Sequence, residues 1–246
     1  MLGNSITSRS AWLLLGVSAL GCLAQSVPAF ADTPAVPPAS PAFSWTGVYV
    51  GANVGKTTGE STWNGPTGAG EFGGSDLDVI HDRSVTYGGQ IGYNYQLPHG
   101  LLVGLEASLH GSHQSSGNNY LGGEGYSGLT AIGVRTHFGG DVSARFGATL
   151  DHLLAFGKVG YAFAHYDYTA TNNNAVTYTG SQNRSGFLIG GGLEYALTRN
   201  WSIKGEYNHI GYTTKTVTLT GSDSSTFGVP IGETENTFKF GVNYRF

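Results

Sequence analysis

From Trp45 to the last residue, apolar and polar positions alternate in stretches separated by turn-forming residues. The final stretch is the clearest. Phe238, Phe240, Val242, Tyr244 and Phe246 share one parity; Thr237, Lys239, Gly241, Asn243 and Arg245 share the other. A period of two predicts a strand with one apolar and one polar face. The pattern recurs in 45–56, 87–97, 101–110, 134–148, 153–165, 184–197 and 201–209, so eight strands are expected with 236–246. The connections alternate in length. Three are short, at 98–100, 149–152 and 198–200, and four are long and polar, at 57–84, 111–133, 167–183 and 212–235. Short turns at one end and long loops at the other predict an eight-stranded antiparallel up-and-down transmembrane β-barrel, with periplasmic turns and outer loops. Proline supports this layout, because it removes a ladder donor. Beyond the N-terminal region only Pro66, Pro98 and Pro230 occur, each in an expected loop or turn.

A soluble eight-stranded barrel would bury the apolar parity and expose the polar one. Here the polar parity carries charges at similar depth: Glu106, Arg145, Lys158, Glu194, Lys204, Glu206 and Lys239. Four positive and three negative charges at one level suit a paired lumen network. The other parity is nearly free of charge, as lipid contact requires. Glu106 is expected to pair with Arg145, and Glu206 to lie close to Lys239, each across adjacent strands. Trp45, Trp201 and Phe246 are placed at the periplasmic rim, and Tyr87, Tyr166, Tyr168 and Tyr212 at the outer one, where aromatic belts form.

The N-terminus adds an address. Arg9 precedes an apolar run, 11–21, and Ala29-Phe30-Ala31 follows. This is the layout of a secretory signal peptide, residues 1–31, and the run is too short for a membrane helix. Cys22 ends the run in a context poor for lipidation. Residues 32–42 form a Pro/Ala-rich periplasmic linker, and 43–246 form the barrel domain. Cleavage after Ala31 removes the one Cys and the one Met, so no disulfide is expected. Twelve basic residues become eleven against sixteen acidic, moving the net charge from −4 to −5. Such a chain is a poor nucleic-acid binder.

Phe43 to Gly55 resembles the first strand of the small porin-like outer-membrane proteins of alphaproteobacteria, a family that includes immunogenic surface antigens and hemin-binding proteins. Gly88-Gly89-Gln90-Ile91-Gly92-Tyr93-Asn94, Ser202 to Tyr207 and the terminal Tyr244-Arg245-Phe246 are similar to it as well. Asp141 to Gly147 matches more loosely. The resemblance spans 43–246 and implies a cell outer-membrane location and a barrel fold. It also implies that Tyr244 and Phe246 are read by the barrel assembly machinery.

Three functions are weighed. The first is a structural, surface-exposed outer-membrane protein that contacts lipid and lipopolysaccharide. The second is a small-solute porin of low conductance, acting through oligomers, since an eight-stranded barrel has room only for its own side chains. The third is a hemin-binding surface receptor. His110 and His113, with His81 and His137 nearby, are its candidate ligands. No resident cofactor or metal is expected otherwise. No enzyme is expected either: His165 and His209 lie at strand ends on the lipid parity, and no serine follows where a lipid-modifying motif would carry its nucleophile. Glu60, Glu71, Asp76, Asp78, Asp82, Asp223, Glu233 and Glu235 read as acidic loop residues able to share divalent cations among lipopolysaccharides.

Overall fold

A computed structural model describes residues 43–63, 79–114, 129–172 and 174–246. The signal segment, the linker, Cys22, Pro66, Glu71, Asp76 and Asp78 lie outside the described residues. Eight antiparallel strands close in chain order: β1 Gly47–Trp63, β2 Val79–Gln96, β3 Leu101–Gln114, β4 Leu129–Leu150, β5 Leu153–Asn172, β6 Thr177–Ala196, β7 Trp201–Gly221 and β8 Thr226–Arg245. β8 returns to β1, with Tyr49 opposite Arg245 and Thr57 opposite Thr237. Closure leaves no free edge, which is what lets strands cross a bilayer. At the turn end, Asp151 and His99 adopt left-handed backbone conformations (φ 51° and 64°), as tight hairpins demand.

The strands are longer than the alternation suggests. β8 holds 20 residues, about twice what a tilted strand needs to cross hydrocarbon. Most of 57–63, 79–84, 167–172, 177–183, 212–221 and 226–235 is therefore strand, not loop. Pro230 corrects the reading too: it stands inside β8 opposite Thr216. The described pairing of β8 to β1 ends next door, at Ile231 opposite Trp63, so this proline sits where a ladder donor is dispensable.

On the outside, Phe246, Trp201, Leu101 and Leu150 begin an apolar band near the turns, and Phe238, Val54, Leu109, Phe138, Phe163 and Phe187 end it. Phe238 to Phe246 spans about 20 Å along the barrel axis, close to the hydrocarbon thickness such barrels present. Above the band the exterior turns polar, with Asn183, Thr179, Thr216, Thr218 and Thr220 exposed.

The inside changes in the opposite sense. Above the band it is an apolar core that includes Trp63, Tyr166, Tyr168, Tyr178, Leu188, Ile210, Val217, Leu219, Val229 and Ile231. Tyr166, Tyr168 and Tyr212 are thus buried in the lumen, not in an outer aromatic belt. A β-bulge between Tyr212 and Lys215 lets β7 continue the core beyond Tyr212. Below it the inward residues are even-numbered, up to Ile210 and Tyr212; above it they are odd-numbered, Val217 and Leu219. One extra residue re-aims every side chain that follows.

Candidate functional site

The lumen below the polarity change is closed by two layers. The first, at the turn end, is a floor of Trp45, Leu102, Leu154, Phe156 and Ala196. Trp45 belongs to this floor, not to the lipid rim. It is 1% exposed, its Nε1 donates to Asp151 O at 3.1 Å, and the Arg245 guanidinium lies 5.1 Å from its ring. Trp201, Tyr244 and Phe246 do form the outer aromatic rim at that end, with ring centroids 5.0 and 5.1 Å apart in sequence.

Above the floor sits a lattice of ion pairs. Glu106 is its hub: its Oε1 meets Lys158 Nζ at 3.2 Å, and its Oε2 meets Lys204 Nζ at 3.1 Å and Arg145 Nη1 at 3.6 Å. Arg145 is held more closely by Glu194, at 2.9 Å. Tyr49 bridges the longer contact. Its hydroxyl donates to Glu106 at 2.8 Å and accepts from Arg145 at 2.6 Å. Gly92 makes this geometry available. It lies between Tyr49 and Glu106 in the register, and a Cβ there would fall 2.4 Å from the phenol.

Glu206 binds Lys158 at 2.9 Å and Lys204 at 3.0 Å, and Asn208 donates to it at 2.5 Å. Glu206 lies next to Lys239, as expected. The two are partners in the β7–β8 register, yet no ion pair joins them. The two Glu206 oxygens are taken by Lys158 from β5 and by Lys204 on its own strand. Glu194 accepts from Ser202 at 2.6 Å and from Asn243 at 2.8 Å. The sequence reading left out Asp141, which accepts from Ser108 and lies 3.5 Å from Lys158. With it, four carboxylates balance four cations. Its inward parity was legible. Tyr49 was also missed, and its signal was a lone aromatic on a parity otherwise filled by Gly and Asn.

Higher up, Asn53, Thr86, His110 and Asn208 each bury a polar side-chain atom with no hydrogen-bond partner. Lys239 is buried at this level too. Above them comes the apolar core, which encloses Glu233 and Glu235. Ser61 donates to Glu233 at 2.5 Å and Tyr168 at 3.3 Å; Tyr166 and Tyr212 donate to Glu235. These acids are not at the lipopolysaccharide surface. Arg184, beside them, donates to Tyr168 Oη at 2.7 Å and to Ile231 O at 2.8 Å. Outside the barrel, Asp223 in the β7–β8 turn is held below the usual carboxylate range by the Ser225 hydroxyl and backbone N–H.

The hemin candidates do not converge. His110 is on the lumen parity of β3 and His113 on the outer parity, opposite Val85, so the wall separates them. His81 is also outside, 3.6 Å from Glu60. Among the described residues no group of three or more His, Cys, Asp or Glu side chains is placed to hold a metal ion. These residues do not fit a shared iron site. His165 and His209 lie outside near the top of the band, hydrogen-bonded to Asn183 at 2.7 Å and Asn236 at 2.8 Å.

A closed ring of eight strands, an outward apolar band with an aromatic rim, and a polar filled lumen define an integral outer-membrane β-barrel. The chain belongs to the outer membrane protein beta-barrel domain family, whose model matches residues 16–246. It is similar to the 31 kDa outer-membrane immunogenic protein of Brucella melitensis biotype 1, with 29% identity over 225 residues, covering 87% of this chain and 89% of that one. It is 29% identical over 215 residues to the 22 kDa outer membrane protein of Rhizobium leguminosarum bv. viciae, covering 85% and 82%. Among solved structures, the outer membrane protein OprG from Pseudomonas aeruginosa aligns with 82% of this chain and 96% of its own, at 14% identity and a TM-score of 0.49.

Proposed function

We propose that this outer-membrane protein is a closed, non-enzymatic barrel that presents a rigid surface to the medium and does not conduct solutes as a monomer. One observation carries the reading: side chains fill the lumen at the apolar floor, the ion-pair lattice and the aromatic core. A hydrated ion would have to displace Trp45, break a lattice of buried ion pairs and pass between Tyr166 and Tyr212. His165 and His209 then act as polar anchors at the lipid edge, and Tyr244 and Phe246 as the strand end read during assembly.

A low-conductance pore is the second reading. It is favoured by the unpartnered polar atoms of Asn53, Thr86, His110 and Asn208, which need water at mid-lumen. Planar-bilayer recording on a size-defined monomer separates the two. A flat current trace is expected; stable conductance steps from the monomer would overturn the closed reading.

A further inference from the structure

The chain is acidic overall, and its inward-facing carboxylates include Glu106, Asp141, Glu194, Glu206, Glu233 and Glu235. Arg145, Lys158, Arg184, Lys204, Lys239 and Arg245 face inward as well and balance them, so the acidic excess lies outside the lumen. On β1–β3 the outer wall departs from that excess locally. Lys56, Arg83 and His113 are all exposed on the outer parity. Lys56 is opposite Val85, and Val85 is opposite His113. Arg83 is the next outward residue after Val85 along β2. Three basic side chains thus surround one valine. Across β8, Lys56 is opposite Phe238, the last aromatic of the apolar band. The cluster stands at the hydrocarbon edge, with Val54 and Tyr87 exposed just below it.

None of the three makes an ion pair or hydrogen bond with another described residue. The nearest outward acid along β1 is Glu60, which lies against His81. Uncompensated cations at a membrane edge attract anionic headgroups, while their aliphatic stems pack on the apolar band. A lysine and an arginine together supply both a point charge and a planar fork for phosphate oxygens.

We infer that Lys56, Arg83 and His113 form a binding site for the phosphate of an outer-leaflet lipid whose acyl chains lie on Val54, Val85, Tyr87 and Phe238. This rests on the membrane orientation described above. Lys56 and Arg83 dominate the attraction, and His113 contributes an imidazole donor.

The test uses the full barrel folded into vesicles of phosphatidylcholine, with and without phosphatidic acid, and native mass spectrometry of the lipids retained. The wild type should keep phosphatidic acid in preference to phosphatidylcholine. The Lys56→Gln/Arg83→Gln double variant should lose about 30-fold of that preference. Lys215→Gln, on the far wall, should not change it. An unchanged preference in the double variant would overturn the site. Retention abolished by millimolar inorganic phosphate, together with phosphate binding at the same concentration to lipid-free protein in detergent, would assign the site to free phosphate and also overturn it. Insertion without lipid preference defeats this inference alone; failure to insert into either vesicle defeats the membrane reading as well.

Discussion

The two halves of this barrel share one hydrogen-bonded wall and have opposite polarity. β8 shows both in twenty residues. Its outward side runs from Gly228, Pro230, Gly232, Thr234 and Asn236 into Phe238, Phe240 and Val242. Its inward side runs from Val229 and Ile231, through Glu233 and Glu235, into Thr237, Lys239 and Asn243. In the half away from the turns, water is outside and the core is apolar, as in a soluble barrel. In the half nearest the turns, lipid is outside, and the polar residues that cannot face it are packed within. The ladder is indifferent to this exchange. Side-chain environment alone decides which parity is apolar, so the level at which the parities exchange marks the edge of the membrane.

The largest effect is expected where the turn-end half is most exacting. Arg145 is fully buried and balances Glu194 and Glu106. Arg145→Met should cost about 3–5 kcal/mol, because it leaves two buried carboxylates short of a cation. Adding Glu194→Gln should recover part of the loss. Reversible urea unfolding in bilayers measures both, and a double-mutant cycle without coupling would show the lattice to be solvated and not packed.

The outer half should fail by a different mechanism. Ile231 is 0% exposed in the apolar core. Ile231→Ala should cost about 2–5 kcal/mol through the lost contacts and the cavity left behind. A loss under about 0.5 kcal/mol in the same assay would mean that the outer half is loosely packed. The comparison between the halves would then fail on that side.

How much of this was legible in the sequence follows from the same inversion. Strand number, order, turns and the lipid-facing parity could be read because the membrane half repeats one rule eight times. The charged residues of the lattice could be placed inward for the same reason. Their pairing could not. Partners such as Lys204 and Glu106 come from opposite walls, β7 and β3, and register predicts only adjacent contacts. The outer half was read as loops. Its alternation persists with reversed sign, and in β7 the bulge at Thr213–Thr214 shifts the parity as well. Thr-Val-Thr-Leu-Thr at 216–220 therefore looks like polar loop, although Val217 and Leu219 are core residues. His113 was read as a ligand of the same site as His110, but their odd spacing along one strand places them on opposite faces.

The membrane half can be tested from outside. Val103 lies on the lipid face of β3, opposite Phe146. Val103→Arg should cost about 1–3 kcal/mol, between the values for a cation at the interface and at the bilayer midplane. A penalty near zero in the urea assay would place water, not lipid, at that position.

The smallest effect sharpens the comparison most, because it repeats that chemistry in the other half. Thr218 is exposed on the outer face of β7, above the bulge, and its partner on β8 is Gly228, which leaves lateral room for a longer side chain. Its outward neighbours along the strand, Thr216 and Thr220, are also exposed and polar. If this stretch stands in water, an arginine here loses no solvation and creates no cavity. It exchanges a β-branched residue for a longer one with somewhat lower strand preference. Thr218→Arg should therefore change stability by no more than about 0.5 kcal/mol. The measurement is the same bilayer unfolding used for Val103→Arg, so the lipid, denaturant and detection are shared and only depth differs. A cost above about 2 kcal/mol at Thr218 would mean that lipid covers the wall this far out. The membrane edge would then have to move up past the bulge, and the exchange of parities would no longer mark it.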